Sequence, residues 1–204
     1  MHEPKTVKAL EDLGRVRLSR NFFMRDFLYS EIANLCGIPN VPDDPDLAIE
    51  VGRRLCEELL EPIHDRFGRL AVRSAYRSCT VNRYGNEHGH NCARNERNYG
   101  AHIWDRVDAG GKKGAMACVV APRFADYLAA TGDWRAMAWW IHDQLPYSTL
   151  YFYPLLGAFN IQWHEVPERR IDSYVAPKGT LTKAGMDNHG GSHAAAYAAL
   201  LAFS

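Results

Sequence analysis

No run in the 204-residue chain approaches the ~18 consecutive apolar residues of a membrane-spanning helix, so no membrane partner is expected. The opening stretch, MHEPKTVKALEDLGRVRLSR, lacks the apolar core of a secretory leader. The expectation is a cytoplasmic chain, or a phage-encoded one released by another route. Neither sign of charge is in excess, with 24 Lys+Arg against 24 Asp+Glu. Proteins that coat nucleic acid carry a basic surplus. The Arg-bearing RNERN and RNYG segments therefore do not lead to an expected nucleic-acid partner. Repeats and low-complexity tracts are missing too. Cysteine is sparse and odd in number, five in all, which reads as reduced thiols rather than a disulfide framework.

What is there is ordinary globular composition, 47% hydrophobic and 24% charged, at a length that suits one domain over 1–204. FFMRDFLYSEIANLCG has apolar residues at helical spacing and a Gly-Ile-Pro stop. LAIEVGRRLCEELLEPIHDRFG puts Leu47, Val51, Leu55 and Leu59 on one face of a long amphipathic helix, with Pro62 as a kink or a last turn. RLAVRSAYRS alternates like a strand, and the polar segment from Cys79 to Asn98 reads as loop. A helix is expected over Pro122–Ala130 and another after Asp133. STLYFYP and FNIQWHEV read as short aromatic strands, and the tail after NHGGSH as a final short helix. Helices first, then strands with inserted helices, predict an α+β fold: N-terminal helices on a small, mainly antiparallel sheet.

The stretch AHIWDRVDAGGKKGAMACVVAP invites a hairpin turning at Gly110 and Gly111. Residues whose numbers sum to about 220 would then face each other, which sets His102 opposite Cys118. Period-two alternation sends Asp105 to the other face, and Asp108 lies close to the turn. A histidine and a thiolate so paired could share one zinc ion, with Asp105 and Asp108 as the rival middle ligands.

VRSAYRSCTVN, YGAHIWDRVDAGGKKGAMACVVAPRF and IQWHEV, in this order, resemble the SGYRS…N, S-x-H-x-x-G-x-A-x-D and W-H elements of the M15 peptidases. These are the zinc D-Ala-D-Ala carboxypeptidases and L-Ala-D-Glu endopeptidases of the Hedgehog/DD-peptidase fold. The likeness covers about residues 20–166, leaving 167–204 as a C-terminal extension. It implies a zinc hydrolase cleaving an amide bond in a peptidoglycan-type peptide, with a peptide or muropeptide as partner. By matching position, His102 and His164 resemble the first and last zinc histidines, and Cys118 stands at the family's aspartate. Zn²⁺ held by His102, Cys118 and His164 is the ligand set so implied. Arg77 resembles the arginine that meets the substrate carboxylate or carbonyl, a role its planar fork suits.

The chain also departs from that pattern. About eight extra residues separate His102 from Gly114. The position of the family's catalytic carboxylate, three before the last histidine, is Ile161, which cannot take a proton, and Glu165 is the nearest substitute base. The alternative is a non-catalytic metal-binding recognition module of the same fold, or another metal-dependent chemistry on that scaffold. Cys79, His88, His90 and Cys92 form a second group with ligand chemistry but no familiar spacing. Cys36, Cys56, Trp134, Trp139, Trp140 and His142 read as packing residues. His189 and His193 read as tail, and Arg169 and Arg170 as a charged turn open to an anion.

Overall fold

The computed structural model describes residues 3–203. Local chemistry starts each N-terminal helix. Thr6, Ser30 and Asp44 accept backbone N–H bonds at the starts of α1 (Val7–Gly14), α2 (Glu31–Cys36) and α3 (Pro45–Leu55). The long amphipathic run is one continuous helical path. α3 passes through a π-helical turn at Cys56–Leu60 into α4 (Glu61–Phe67). Pro62 follows that turn, where the wider winding accommodates a residue with no N–H to give.

β1 (Ala71–Ser74) then leads to α5 (Cys79–Glu87) and α6 (Asn95–Asn98). The segment expected as loop is thus partly helical. Ser78 caps α5, and buried asparagines replace an apolar face. The Asn82 amide donates to the Ala93 carbonyl at 2.9 Å, and Asn98 donates to Asn82 at 3.0 Å. A periodicity reading that counts only apolar residues misses such a helix.

The remaining elements are β2 (Gly114–Val120), α7 (Pro122–Thr131), α8 (Arg135–Gln144), β3 (Thr149–Phe152), β4 (Phe159–His164), β5 (Arg170–Ser173), β6 (Gly179–Thr182) and α9 (Ala194–Ala202). The six strands form one sheet in the order β1-β2-β4-β3-β5-β6, antiparallel except for the β3–β5 pair. This is an α+β architecture. Residues 167–204, expected as an extension, supply β5 and β6 and send Tyr197 and Leu200 into the main core.

The sheet has two unlike faces. Ala115, Ala117, Val119, Leu150, Phe159 and Ile161 join the helices in the core. Their alternates Cys118, Tyr151, Asn160, Gln162 and His164 belong to the opposite face. Ile161 is fully buried opposite Ala117, where only packing is asked of it. Trp104 lies in the core against Phe27 and Tyr76.

The expected hairpin is not formed. The chain from Gly100 to Gly111 runs in successive turns, and only its second half becomes a strand. Asp108 is the cause. Its carboxylate accepts the Gly110 and Lys112 N–H groups, both at 2.8 Å, and the captured amides close a tight turn in place of a ladder. Cys118 pairs with Ser74 on one side and Asn160 on the other, not with His102.

Gly114, where β2 begins, has no room for a side chain. A β-carbon there would overlap the Gly100 carbonyl oxygen and stand 2.7 Å from the His164 ring. Gly114→Ala should cost about 2 kcal/mol or more in urea unfolding, because backbone has to move. Gly190→Ala, with nothing within 4 Å, should stay within about 0.5 kcal/mol of the parent.

Candidate functional site

A cleft of about 560 Å³ opens over the ends of β1 and β2, under the 90–93 loop and the start of α2. Five residues singled out by sequence meet here: Arg77, His90, Cys92, His102 and Cys118. Arg73, Tyr153, Asn160 and Glu31 complete the wall that matters chemically.

His102 is held from two directions. Its carbonyl accepts the Arg77 N–H at 2.8 Å, and its Nδ1–H donates to the Ala75 carbonyl at 2.7 Å. The carbonyl has no proton to give, so Nδ1 carries the hydrogen and Nε2 keeps its lone pair. Burial, and then the Arg77 guanidinium, push the His102 pKa well below the ordinary imidazole value. The ring is neutral, with its one free nitrogen in the cleft.

Cys118 stands on β2, buried, facing the cleft. Burial raises its thiol pKa, Arg73 and Arg77 pull it back down, and Glu31 adds a smaller upward push. Across the sheet, Asn160 is the Cα partner of Cys118 and shares its face. The Asn160 amide donates to the Tyr153 hydroxyl at 3.1 Å. Burial, with Cys118 close by, pushes the Tyr153 pKa up to about 12. The Arg77 Nη1 donates to Cys92 Sγ at 2.7 Å, while its Nε is buried without a partner.

His164 is not in this cleft. It pairs with Gly114, four residues from Cys118, or about 13 Å along the strand. Its Nε2 meets Asp108 at 3.2 Å, and its Nδ1 lies 2.9 Å from the Val166 carbonyl. Hydrogen bonds from Lys112 and Gly110, and the charge of His164, hold the Asp108 carboxyl below its ordinary value. A zinc ion bound by His102, Cys118 and His164 together does not fit this chain. Parity puts Cys118 and His164 on one face, but register separates them.

Glu165 accepts the Lys113 N–H at 2.9 Å beside His164 and closes the end of the β2–β4 pair, far from Cys118. Asp105 is a structural carboxylate. It accepts the Asp43 N–H at 2.7 Å and the Tyr76 hydroxyl at 3.3 Å, and burial raises its pKa. The Cys79, His88, His90 and Cys92 group does not close on a metal. His88 stacks on Tyr84 at 3.8 Å, while Cys92 turns to Arg77.

Among the described residues, one group brings three ligand atoms within 4.8 Å of one another: Glu61, His64 and Asp65. On distance alone it could hold a metal ion. Its donors are already engaged, however. Glu61 accepts from the Ser19 hydroxyl and from Asn21, each at 2.7 Å, and Arg20 bridges Glu61 and Asp65. A cation there would have to displace a guanidinium.

The residues that sequence reasoning missed are Arg73 and Asn160. Arg73 sits in the quoted VRSAYRS segment, two residues from Ala75. Asn160 is found only through the β2–β4 register. Comparisons with family models, with curated proteins and with solved structures find no match to this chain. No helix among the described residues is long and apolar enough to cross a membrane.

The His102 environment carries a pH signature. A neutral buried imidazole leaves the unfolded chain binding the extra proton first, so folded stability falls as pH drops below about 6.5. The slope from one such group is at most about 1.4 kcal/mol per pH unit. His142 is shifted the same way by burial, so the informative quantity is a difference. Urea unfolding at a series of pH values should show a shallower acid slope for His102→Gln than for the parent.

Proposed function

We propose that this chain is a divergent M15-like domain of the Hedgehog/DD-peptidase type, and that its cleft recognises a carboxylate-bearing peptide of the peptidoglycan kind. In this reading it is a recognition module rather than a three-ligand zinc hydrolase. The observation that carries it is Arg77. Its Nε is buried and unpartnered, in a cleft also lined by a second cation, Arg73, and by one carboxylate, Glu31. A buried donor without a partner costs about 1–3 kcal/mol, and an anionic oxygen would recover that as a charge-assisted hydrogen bond. The four-residue register offset of His164 and the apolar burial of Ile161 weigh against hydrolysis by zinc.

The zinc hydrolase remains a second reading, favoured by one observation. A histidine whose Nδ1–H is locked on a carbonyl presents Nε2 as metal ligands do. Were zinc held there, it would polarise a carbonyl and supply an acidic water.

Titration with a muropeptide, followed by calorimetry, should show binding that weakens about tenfold or more in Arg77→Ala, one lost charge-assisted bond. The backbone N–H that pins His102 survives that substitution. Equal affinity for the two proteins sinks the recognition reading. Metal analysis separates the other: stoichiometric zinc that is lost in His164→Ala would restore the His102, Cys118 and His164 set.

A further inference from the structure

The sheet face that walls the cleft continues onto β3 and β5. Leu150, Phe152 and Ile171 point from these strands into the core, so their alternates Tyr151, Tyr153, Asp172 and Tyr174 stand on the other face. The Tyr174 N–H bonds the Phe152 carbonyl at 2.9 Å and carries the ladder beyond β5. Three tyrosine rings meet there. The Tyr151 centroid lies 5.0 Å from that of Tyr174 and 6.2 Å from that of Tyr153, and Tyr153 lies 5.7 Å from Tyr174. Their planes are inclined by only 38°, 31° and 33°, whereas the core pairs Phe67–Trp140 and Phe124–Phe152 meet edge to face at 86° and 77°. Tyr174 is 51% exposed, and the other two are half-buried.

We propose that this tyrosine group is a platform for a pyranose sugar, so that the domain holds the glycan end of a muropeptide while the cleft holds its peptide end. The inference rests on the cleft being a peptide site, and it names a second part of the same ligand.

Continuity with the cleft carries it first. Tyr153 belongs to both, because it lines the cleft wall and packs against Tyr151 and Tyr174. A ligand anchored at Arg77 therefore meets the rings where it leaves the cleft. The chemistry of the rim carries it next. A pyranose presents C–H bonds on its face, which suit the negative face of an aromatic ring, and hydroxyl groups around its edge. At one end of the platform, Asp172 is the cross-strand partner of Tyr151. Arg170 pins it through Nε at 2.6 Å and Nη2 at 3.0 Å, and the Thr180 hydroxyl donates to it at 2.6 Å. The Arg170 Nη1 has no protein partner among the described residues and remains a donor. At the cleft end, the Asn160 amide is spent on Tyr153, and its carbonyl oxygen remains an acceptor. A sugar hydroxyl can serve either group. A proline-rich segment, the other common ligand of exposed tyrosines, would bring carbonyls but no proline N–H for Asn160.

The test titrates the full chain with a tetramer of N-acetylglucosamine, a free stem peptide and a muropeptide that carries its disaccharide. The tetramer should bind the parent, and the muropeptide should bind about tenfold more tightly than the stem peptide, the scale of one or two aromatic contacts. Tyr174→Ala should abolish both effects and leave stem-peptide affinity unchanged. Tyr174→Phe, which keeps the ring face, should retain both. A purely structural tyrosine cluster, of the kind that stabilises neighbouring strands, would show none of these ligand effects. Equal affinity of the parent for muropeptide and stem peptide overturns the proposal. So does a loss in Tyr174→Phe as large as in Tyr174→Ala, or a proline-rich peptide that binds where the tetramer does not. The two readings fail separately. Tetramer binding without stem-peptide binding sinks the cleft reading and keeps the platform, and the reverse sinks the platform alone.

Discussion

The reciprocal pair of hydrogen bonds between His102 and the end of β1 is the constraint on which the site depends. Arg77 N–H reaches the His102 carbonyl, and His102 Nδ1–H reaches the Ala75 carbonyl. Each buried bond of this kind is worth about 1 kcal/mol, but leaving its partners unsatisfied costs more. Together they fix an irregular turn against a regular strand. Ala101 then accepts the Met116 N–H, and the Trp104 indole N–H donates to the Met116 carbonyl. Asp105, three residues past His102, reaches across to the turn that starts α3. One short segment thus joins β1, β2 and the N-terminal helices, and the cleft lies where they meet.

Elements with strong apolar periodicity were legible in the sequence. The run from Leu47 to Phe67, the helix starting at Pro122 and the aromatic strands around Leu150 and Ile161 all form where their patterns put them. The α+β class follows from their order. What was not legible depended on polar side chains satisfying the backbone. Asn82 and Asn98 support helical structure in a segment that reads as loop, and Asp108 closes a turn where two glycines suggested a hairpin. Such bonds depend on which carbonyl lies nearby, and composition does not carry that information.

The site was half legible for the same reason. His102, Cys118 and Arg77 do converge on one cleft, although the hairpin that would have paired the first two does not exist. Cys118 reaches the cleft because β2 alternates, and His102 because its loop is pinned to β1. His164 fails by register alone: its face is right and its position is four residues away. The family pattern rests on a Trp-His pair, but in this chain Trp163 faces the helices and bonds Glu58 at 2.9 Å. The pair fits a strand end as well as it fits a ligand, and no spacing within the sequence tells one from the other.

The charge of the cleft follows from what surrounds each group. His102 is buried against a guanidinium and stays neutral, and burial keeps Cys118 protonated. That leaves Arg73 and Arg77 with Glu31 in a net positive wall that also holds the His102 lone pair and the Cys92 and Cys118 thiols. A guanidinium with a free buried donor selects for an anionic oxygen, because a neutral ligand would leave that donor half satisfied in a medium of low dielectric. In the recognition reading the anion's place is therefore set by Arg77, whose buried Nε has no partner among the described residues.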